Sequence, residues 1–183
     1  MATDLFDMTG KVAVVTGGSR GLGREMVLAF ADHGADVVIA SRKLENCEAV
    51  ADEVRALGRR ALPVAYHAAS WEGAGQLAAT VYDEFGTIDV LVNNAGMSPL
   101  YPSVDAISED LYDKVMGVNL KGPFRLSALV GTKMAAGSGG SIIFVSSGAS
   151  QGRAPASSST ARRRRASTTS PTGWPARSVR RCA

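Results

Sequence analysis

A glycine-rich stretch near the start of the chain has the residue types and spacing of a phosphate-binding turn. Residues 16–23 read Thr-Gly-Gly-Ser-Arg-Gly-Leu-Gly, and they join the β-branched run Lys11–Thr16 to the helically spaced segment Arg20–His33. Glycines let a ligand approach the backbone closely, and the N-terminus of a helix offers unpaired N–H groups and the positive end of its dipole. The pattern therefore predicts a turn that binds a pyrophosphate, with a plain tight turn as the alternative.

Uncharged polar residues stand at three later places in the chain. Asn93-Asn94-Ala95-Gly96 closes one apolar run and Ser146-Ser147 closes another. Asn119 lies within Val118-Asn119-Leu120, in a long segment with helical spacing. Amide and hydroxyl groups can orient a ligand or hold a water molecule by hydrogen bonds, so these residues are candidates for a binding or catalytic site.

Strands and helices alternate along the chain and must position these residues. The predicted strands are Lys11–Thr16, Asp36–Ala40, Ala61–Tyr66, Asp89–Asn93 and Ser141–Ser146, and the predicted helices are Arg20–His33, Leu44–Leu57, Glu72–Phe85 and Ser108–Ala135. The strands are apolar on both faces, which is typical of a parallel sheet covered by helices on both sides. Gly34 and Gly58 stand where two helices should end. The sequence predicts a doubly wound α/β fold.

The order and placement of the four motifs resemble those of the short-chain dehydrogenase/reductase family. The family signature Thr-Gly-x-x-x-Gly-x-Gly is matched at residues 16–23, and Asn-Asn-Ala-Gly, a helical asparagine and a strand-end serine follow in the family's order. The resemblance covers residues 9–152. It implies a Rossmann-type sheet of order 3-2-1-4-5 and hydride transfer between a nicotinamide cofactor and an alcohol or carbonyl substrate.

The resemblance also implies roles for individual residues. The cofactor phosphates would lie against Gly17, Ser19, Arg20, Gly21, Leu22 and Gly23, and the adenosine and ribose side against Asn93, Ala95 and Gly96. Asn119 would hold a water molecule in a proton relay, and Ser147 would hydrogen-bond the substrate oxygen. The alternatives are that the asparagines simply fix a turn and that Ser147 is an ordinary strand-end hydroxyl. Ser147 is not a hydrolase nucleophile, since it lacks the Gly-x-Ser-x-Gly context.

The choice of cofactor depends on the residues at the end of the second strand. NAD sites place a carboxylate about 20 residues after the glycines, where it accepts the ribose 2′-hydroxyl and repels a 2′-phosphate. Ser41, Arg42 and Lys43 stand there instead, with Arg20 in the glycine turn, so NADP is predicted over NAD. In the alternative interpretation Ser41 caps the next helix and the two cations are simply solvated. The pair His67-Ala68 departs from the Asp-Val type that the family usually has after strand three.

Two catalytic residues of the family have no counterpart in this chain. The family places a tyrosine thirteen residues after the serine and a lysine four residues later, but positions 160 and 164 hold Thr160 and Arg164. Positioned proton transfer by such a tyrosine contributes about 10²–10⁴-fold to the rate. A threonine hydroxyl is too weak an acid and an arginine too weak a proton donor to replace them. The printed chain is therefore expected to be impaired or inactive, with Asn119 and Ser147 as its remaining catalytic residues.

Residues 153–183 differ in composition from the rest of the chain. The whole chain has 20 basic and 17 acidic residues, a net charge of +3 and a pI near 9.1. Residues 1–152 hold 12 of the basic residues and all 17 acidic ones, whereas residues 153–183 hold eight arginines and no acid. We therefore divide the chain into an NADP-binding Rossmann domain over 1–152 and an Arg/Ser/Thr-rich tail over 153–183, for which the composition predicts disorder.

A shift of one base in the reading frame accounts for both the tail and the missing residues. Codons permitted for residues 156–160 read Ala-Phe-Ile-Val-Tyr after insertion of one base, which places tyrosine at position 160, and the same frame allows lysine at position 164. Our hypothesis is a frameshift near residue 156 that truncates the family sequence, either in the gene or in its sequencing. The alternative is a natural basic tail. The sheet is then expected to be incomplete on its C-terminal side, with the fifth strand as an exposed edge.

The remaining sequence features limit the class of protein. The acidic N-terminus and the lack of an apolar run of about 20 residues predict a cytoplasmic protein with no membrane partner. Cys47 and Cys182 have no metal-ligand spacing, so no metal site is expected. The expected partner is a small alcohol or carbonyl substrate, and the family is usually homo-oligomeric. Two alternative functions are a catalytically dead dinucleotide-binding remnant and nucleic-acid binding through Arg162–Arg165, which no aromatic platform accompanies.

Overall fold

A computed structural model describes residues 5–147 of the chain. Strands and helices alternate in the order β1 Val12–Thr16, α1 Gly21–Asp32, β2 Asp36–Ser41, α2 Leu44–Ala56, β3 Ala61–Ala65, α3 Trp71–Phe85, β4 Val90–Asn93, α4 Glu109–Met116, α5 Gly122–Ala136 and β5 Ser141–Phe144. A 3₁₀ turn at Val104–Ala106 precedes α4, and a π-helical segment, Gly117–Lys121, joins α4 to α5. The predicted disorder of the tail and the boundary at residue 152 lie outside the described residues.

The five strands form one parallel sheet in the order β3-β2-β1-β4-β5. Thr16 lies opposite Ala40 of β2, and Val15 lies opposite Val92 of β4, so β1 is the central strand. The predicted Rossmann-type fold and strand order are confirmed. In such a sheet the connections reverse direction between β1 and β4, and ligands bind at the carboxyl edge beside this point.

Each face of the sheet packs against its own pair of helices. On one face Val14, Val38 and Leu91 meet side chains of α3 and α5, including Leu77 and Leu126. The other face carries the neighbouring strand residues, Val15, Val37, Ile39 and Val92, which pack against α1 and α2 through Val27 and Val54. Each of these side chains contributes roughly 1.5–3 kcal/mol on full burial. The rigid double-sided core fixes the carboxyl ends of the strands.

The ends of the helices agree with the sequence except in one long helix. Gly34 and Gly58 follow α1 and α2 with φ angles of 98° and 76°, the left-handed conformation that favours glycine after a helix. The prediction of a single helix over 108–135 is wrong in one respect, because the π-helical segment Gly117–Lys121 interrupts the α-helix. An extra residue in a helical turn leaves the apolar spacing on both sides intact, which hides the interruption from a periodicity analysis.

Strand β5 lies at an edge of the sheet and ends sooner than predicted, at Phe144. Among the described residues it pairs with β4 alone. Ile143 and Phe144 are 44% and 57% exposed, in contrast to the fully buried β1. The C-terminal side of the sheet is thus incomplete within residues 5–147, as the sequence indicates.

The chain divides into two compact units. Of the described residues, the first unit comprises 5–97 and 113–145 and contains the whole five-stranded sheet. The second comprises 98–112 with 146 and 147, and it includes the 3₁₀ turn and Ser147. Ser108 Oγ accepts a hydrogen bond of 3.2 Å from the Leu111 N–H within this second unit and so fixes the start of α4.

Asp36 is largely buried at the start of β2, where it pairs with two more exposed arginines, Arg59 and Arg60, and it offers a test of stability. Its carboxylate accepts hydrogen bonds from Arg60 N and Nε at 3.0 and 2.8 Å and from Arg59 at 3.2 Å. Burial raises the pKa of Asp36, but the Arg60 hydrogen bonds and the two positive charges outweigh burial and leave that pKa below its ordinary 3.8.

We expect Asp36→Asn to lower the free energy of unfolding at pH 7 by about 1–2 kcal/mol, because the arginines lose their charged partner. A carboxylate whose pKa is depressed in the folded state stabilises the protein above its unfolded-state pKa and loses that effect as pH falls through the folded-state value. Urea denaturation should therefore show a full difference between variant and parent at pH 6–7, and this difference should shrink as the pH is lowered below the ordinary carboxyl pKa of 3.8. A difference that persists unchanged at pH 3 would contradict this explanation.

Candidate active site

The glycine turn leaves β1 at the centre of the carboxyl edge and leads directly into α1. Gly17 has φ +68° and its N–H donates to the Ala40 carbonyl oxygen at 2.7 Å, which fixes the turn against β2. The first turn of α1 contains no acidic residue, and the side chain of Arg20, its N-cap, makes no capping hydrogen bond. In contrast, α3 is capped by Ser70 and carries Glu72 in its first turn. The start of α1 is therefore suited to an external anion.

Close packing explains two of the glycines in this turn. A Cβ on Gly23 would overlap the Gly17 carbonyl oxygen and lie 2.6 Å from Asn94 Nδ2. A Cβ on Gly18 would lie 3.0 Å from the Val15 carbonyl oxygen. The family resemblance implies phosphate contact for Gly23 and no role for Gly18. Both are required here by the close approach of α1 and the turn to the sheet.

Thr16 and Asn94 connect the glycine turn to the end of β4. Thr16 is buried, and its Oγ1 donates to the Val92 carbonyl at 3.2 Å and accepts from the N–H groups of Asn94 and Ala95, each at 3.1 Å. Asn94 Nδ2 donates to the carbonyl oxygens of Thr16 and Gly17 at 3.0 and 3.2 Å. Neither residue is among the binding residues predicted from the sequence. In the sequence, the only signal for this role is the pair of adjacent asparagines, for which fixing a turn is the alternative interpretation.

The other asparagine of the doublet points away from this turn. Asn93 is buried, and its Nδ2 donates to Ser127 Oγ on α5 at 3.0 Å. Ala95 is half-buried and Gly96 is exposed, so these two residues form the accessible part of the motif. A Cβ on Gly96 would lie 3.6 Å from Asn119 Oδ1, which places the motif beside the π-helical segment.

The end of β2 forms a polar corner beside the glycine turn. Ser19 Oγ donates to Ser41 Oγ at 2.9 Å, although the two residues are 22 positions apart. Arg20 and Arg42 are exposed and form no ion pair within the described part of the chain, whereas Lys43 lies 3.7 Å from Glu45. The alternative in which Ser41 caps α2 is wrong. Ser41 completes the pairing of β2 with β3, and Lys43 is the residue before α2.

Asn119 bonds to the loop after β4 through both polar atoms of its side chain. Its Nδ2 donates to the Met97 carbonyl at 2.8 Å, and its Oδ1 accepts from the Met97 N–H at 2.9 Å. Ser147 is exposed and lies past the end of β5, in the second unit. Thr160 and Arg164 lie outside the described residues. Among residues 5–147, no group of three metal-ligating side chains occurs, and no helix is long and apolar enough to cross a membrane.

Comparisons with known proteins agree with this geometry. A parallel sheet with a glycine turn at the point where its connections reverse defines a dinucleotide-binding class of protein. The family profile described as short chain dehydrogenase matches residues 11–160. The chain belongs to the short-chain dehydrogenase/reductase family.

The matches with individual relatives span only part of each relative's length. An uncharacterized oxidoreductase of Mycobacterium tuberculosis is 42% identical over 148 residues, which are 80% of this chain and 56% of that protein. The chain thus spans about half the length of the curated relatives it matches. A metagenomic short-chain oxidoreductase solved with NADP is 34% identical, with a TM-score of 0.77 over 81% of this chain and 67% of that one. A 7α-hydroxysteroid dehydrogenase solved with NADH and a 7-oxo bile acid is 29% identical, with a TM-score of 0.79 over 91% and 65%.

Proposed function

We propose that the carboxyl edge of the sheet binds NADP(H). We also propose that the protein encoded without the frameshift transfers hydride between NADP(H) and an alcohol or carbonyl substrate. The observation that carries the cofactor choice is the corner formed by Ser19 and Ser41, with Arg20 and Arg42 beside it. Hydroxyl and guanidinium groups suit a 2′-phosphate, whereas an NAD site presents a carboxylate at this place. Residues 41–44 include no carboxylate.

The uncapped start of α1 is the proposed position of the pyrophosphate. No side chain caps its first N–H groups, and at Gly21, where φ is +54°, no atom lies within 4 Å of a hypothetical Cβ. A ligand oxygen can therefore approach the backbone here. The residues proposed to surround the phosphates are Gly17, Ser19, Arg20, Gly21, Leu22 and Gly23.

The accessible part of the Asn-Asn-Ala-Gly motif is the proposed position of the adenosine and ribose. Ala95 is half-buried and Gly96 is exposed, and neither residue has a side chain larger than a methyl group. Because the Asn93 side chain is bonded to Ser127, Asn93 would contribute by holding the end of β4 in place. The NADP-bound and NADH-bound neighbours support a nicotinamide cofactor in general. When bound, that cofactor supplies or accepts the hydride.

Catalysis in the printed chain would depend on Ser147 and Asn119 without the family's tyrosine and lysine. The Ser147 hydroxyl would hydrogen-bond the substrate oxygen. The Asn119 side chain is already bonded to Met97, so a relay water at this residue would have to be held by its backbone carbonyl. With Thr160 and Arg164 in the positions of the acid and its partner, we propose that the printed chain binds the cofactor and turns over substrate slowly or not at all.

Exchanging Ser41 for a carboxylate tests the cofactor assignment. We expect Ser41→Asp to weaken NADPH binding by about 10–100-fold while leaving NADH binding within about threefold, since a carboxylate repels the 2′-phosphate and accepts a 2′-hydroxyl. Isothermal titration of both cofactors against the full chain gives the ratio. The matched control is Ser41→Ala, which removes the hydroxyl without adding charge and should cost NADPH binding about threefold to tenfold.

Two results would decide against the proposal. Equal affinity of the printed chain for NADH and NADPH, unchanged in Ser41→Asp, contradicts the NADP assignment. Turnover at an ordinary enzymatic rate in the same preparation contradicts the view that the chain is a cofactor-binding remnant. Binding of NADPH without turnover is the expected outcome.

A further inference from the structure

The π-helical segment packs its backbone directly against the loop that follows β3. A Cβ on Gly117 would lie 3.0 Å from Ala69 Cβ, and a Cβ on Gly122 would overlap the Ala68 carbonyl oxygen. Both glycines are buried. The contact is therefore made by the helix backbone itself. Gly122 has no space for a side chain, and a methyl group on Gly117 would press against Ala69.

The π-helical geometry is what allows both glycines to face the same loop. In a regular α-helix, 3.6 residues complete a turn, so residues five apart point about 140° away from each other. Here the Gly122 N–H donates to the Gly117 carbonyl, the i to i+5 bond of a π-helix. This bond places the two glycines one above the other, so that Gly117 meets Ala69 and Gly122 meets Ala68.

A second contact holds the following helix, α5, to the start of α3, directly after this loop. The guanidinium carbon of Arg125 lies 4.6 Å from the centre of the Trp71 ring at the start of α3. Stacking of this kind contributes about 0.5–2 kcal/mol. The segment that carries Asn119 is thus fixed to the loop after β3 by its two glycines, and the helix that follows it is fixed to the start of α3 by Arg125.

Asn119 lies between the two glycines in sequence and reaches the loop after β4. Its paired hydrogen bonds with the Met97 backbone have lengths of 2.8 and 2.9 Å and require the helix to stay at a set distance from that loop. We propose that Gly117 and Gly122 are positioning residues, which seat the π-helical segment on Ala68 and Ala69 and thereby hold Asn119 on Met97. The relevance of this position to catalysis rests on the proposed function.

A rescue experiment tests the proposal on the full chain. Gly117→Ala puts a methyl group against the Ala69 methyl, and Ala69→Gly removes the opposing group. Hydrogen exchange at the Met97 N–H reports whether its bond to Asn119 persists. We expect Gly117→Ala to speed this exchange about tenfold, the effect of losing one ordinary hydrogen bond, and the double variant to return it to within about threefold of the parent. The control Gly75→Ala, in open space on α3, should not change it.

Further variants separate positioning from general stability. Asn119→Ala should reproduce the fast exchange at Met97, and adding Gly117→Ala to it should cause no further increase. The Val92 N–H in the core should keep its protection in all of these variants. If Gly117→Ala alone does not fold, recovery of folding and of Met97 protection in the double variant supports the proposal.

Several outcomes would overturn the proposal. They are unchanged Met97 exchange in Gly117→Ala, equal acceleration at Met97 and Val92, and a double variant that remains as disturbed as the single one. NADPH titration of the same parent sample keeps the two proposals apart. Failure to bind NADPH rejects the proposed function, whereas the exchange data alone decide whether the glycines position Asn119.

Discussion

A chain in which the codons after residue 156 are read with one added base is expected to oxidise or reduce substrate at least 100-fold faster than the printed chain. The shifted frame allows tyrosine at position 160 and lysine at position 164, in place of Thr160 and Arg164. A positioned general acid is worth about 10²–10⁴-fold in rate, which sets the lower bound. NADPH consumption with a panel of ketones and aldehydes, and NADP reduction with secondary alcohols, measures the difference.

The control for this prediction is the shifted-frame chain with phenylalanine in place of tyrosine at position 160. It keeps the ring and removes the hydroxyl, and its turnover should fall back by about 10²–10⁴-fold. The nucleotide sequence across codons 153–183 provides an independent decision. If no single-base change yields tyrosine and lysine at these two positions, the frameshift hypothesis fails. Comparable rates in the shifted and printed chains would contradict the assigned role of the tyrosine.

The second large effect is expected for Gly23→Ala in the glycine turn. Its Cβ would overlap the Gly17 carbonyl oxygen and crowd the Asn94 amide, so the start of α1 must move away from β1. We expect a loss of about 1–3 kcal/mol in the free energy of unfolding from this overpacking. NADPH affinity should fall about 100-fold, because displaced N–H groups no longer reach the pyrophosphate and each hydrogen bond to a charged group is worth about 1.5–3 kcal/mol.

Isothermal titration and urea denaturation of the same sample measure both effects of Gly23→Ala. Gly75→Ala is the matched control, since this glycine lies in a helix with no atom within 4 Å of a hypothetical Cβ. The control should leave NADPH affinity unchanged and gain up to about 1 kcal/mol in stability from helix propensity. Unaltered NADPH affinity in folded Gly23→Ala would show that the pyrophosphate does not bind at this turn.

The sheet and the glycine turn are predictable from the sequence because their signals are local and repeated. Each strand is apolar on both faces, and the motif at residues 16–23 falls between a strand and a helix. The different hydrogen-bond partners of the Asn93 and Asn94 side chains are not predictable in this way. Alternation along the strand separates the two side chains, but only the packed structure shows that one meets Ser127 and the other meets Thr16 and Gly17.

The π-helical segment and the corner at Ser41 are further cases in which long-range contacts decide the structure. The helical pattern over 108–135 says nothing about the loop at Ala68, against which Gly117 and Gly122 pack. Ser41 has the residue type of a helix cap, yet its carbonyl accepts a hydrogen bond from the Tyr66 N–H and so extends β2. Pairing with β3 outweighs the local preference for a cap.

The bond between Thr16 and Asn94 also bears on the order in which the protein folds during synthesis. The Asn94 N–H and the Thr16 hydroxyl are 78 residues apart in sequence. Strands β1, β2 and β3 are complete once residue 65 has emerged from the ribosome, but the carbonyls of Thr16 and Gly17 find their amide partner only after residue 94 has followed. Contacts at such separation form late because the loop must close first. The nascent protein therefore has three strands of its sheet before the glycine turn is bonded to the end of β4, and a cofactor bound at this turn, as proposed, can stabilise the chain only from that later stage of translation.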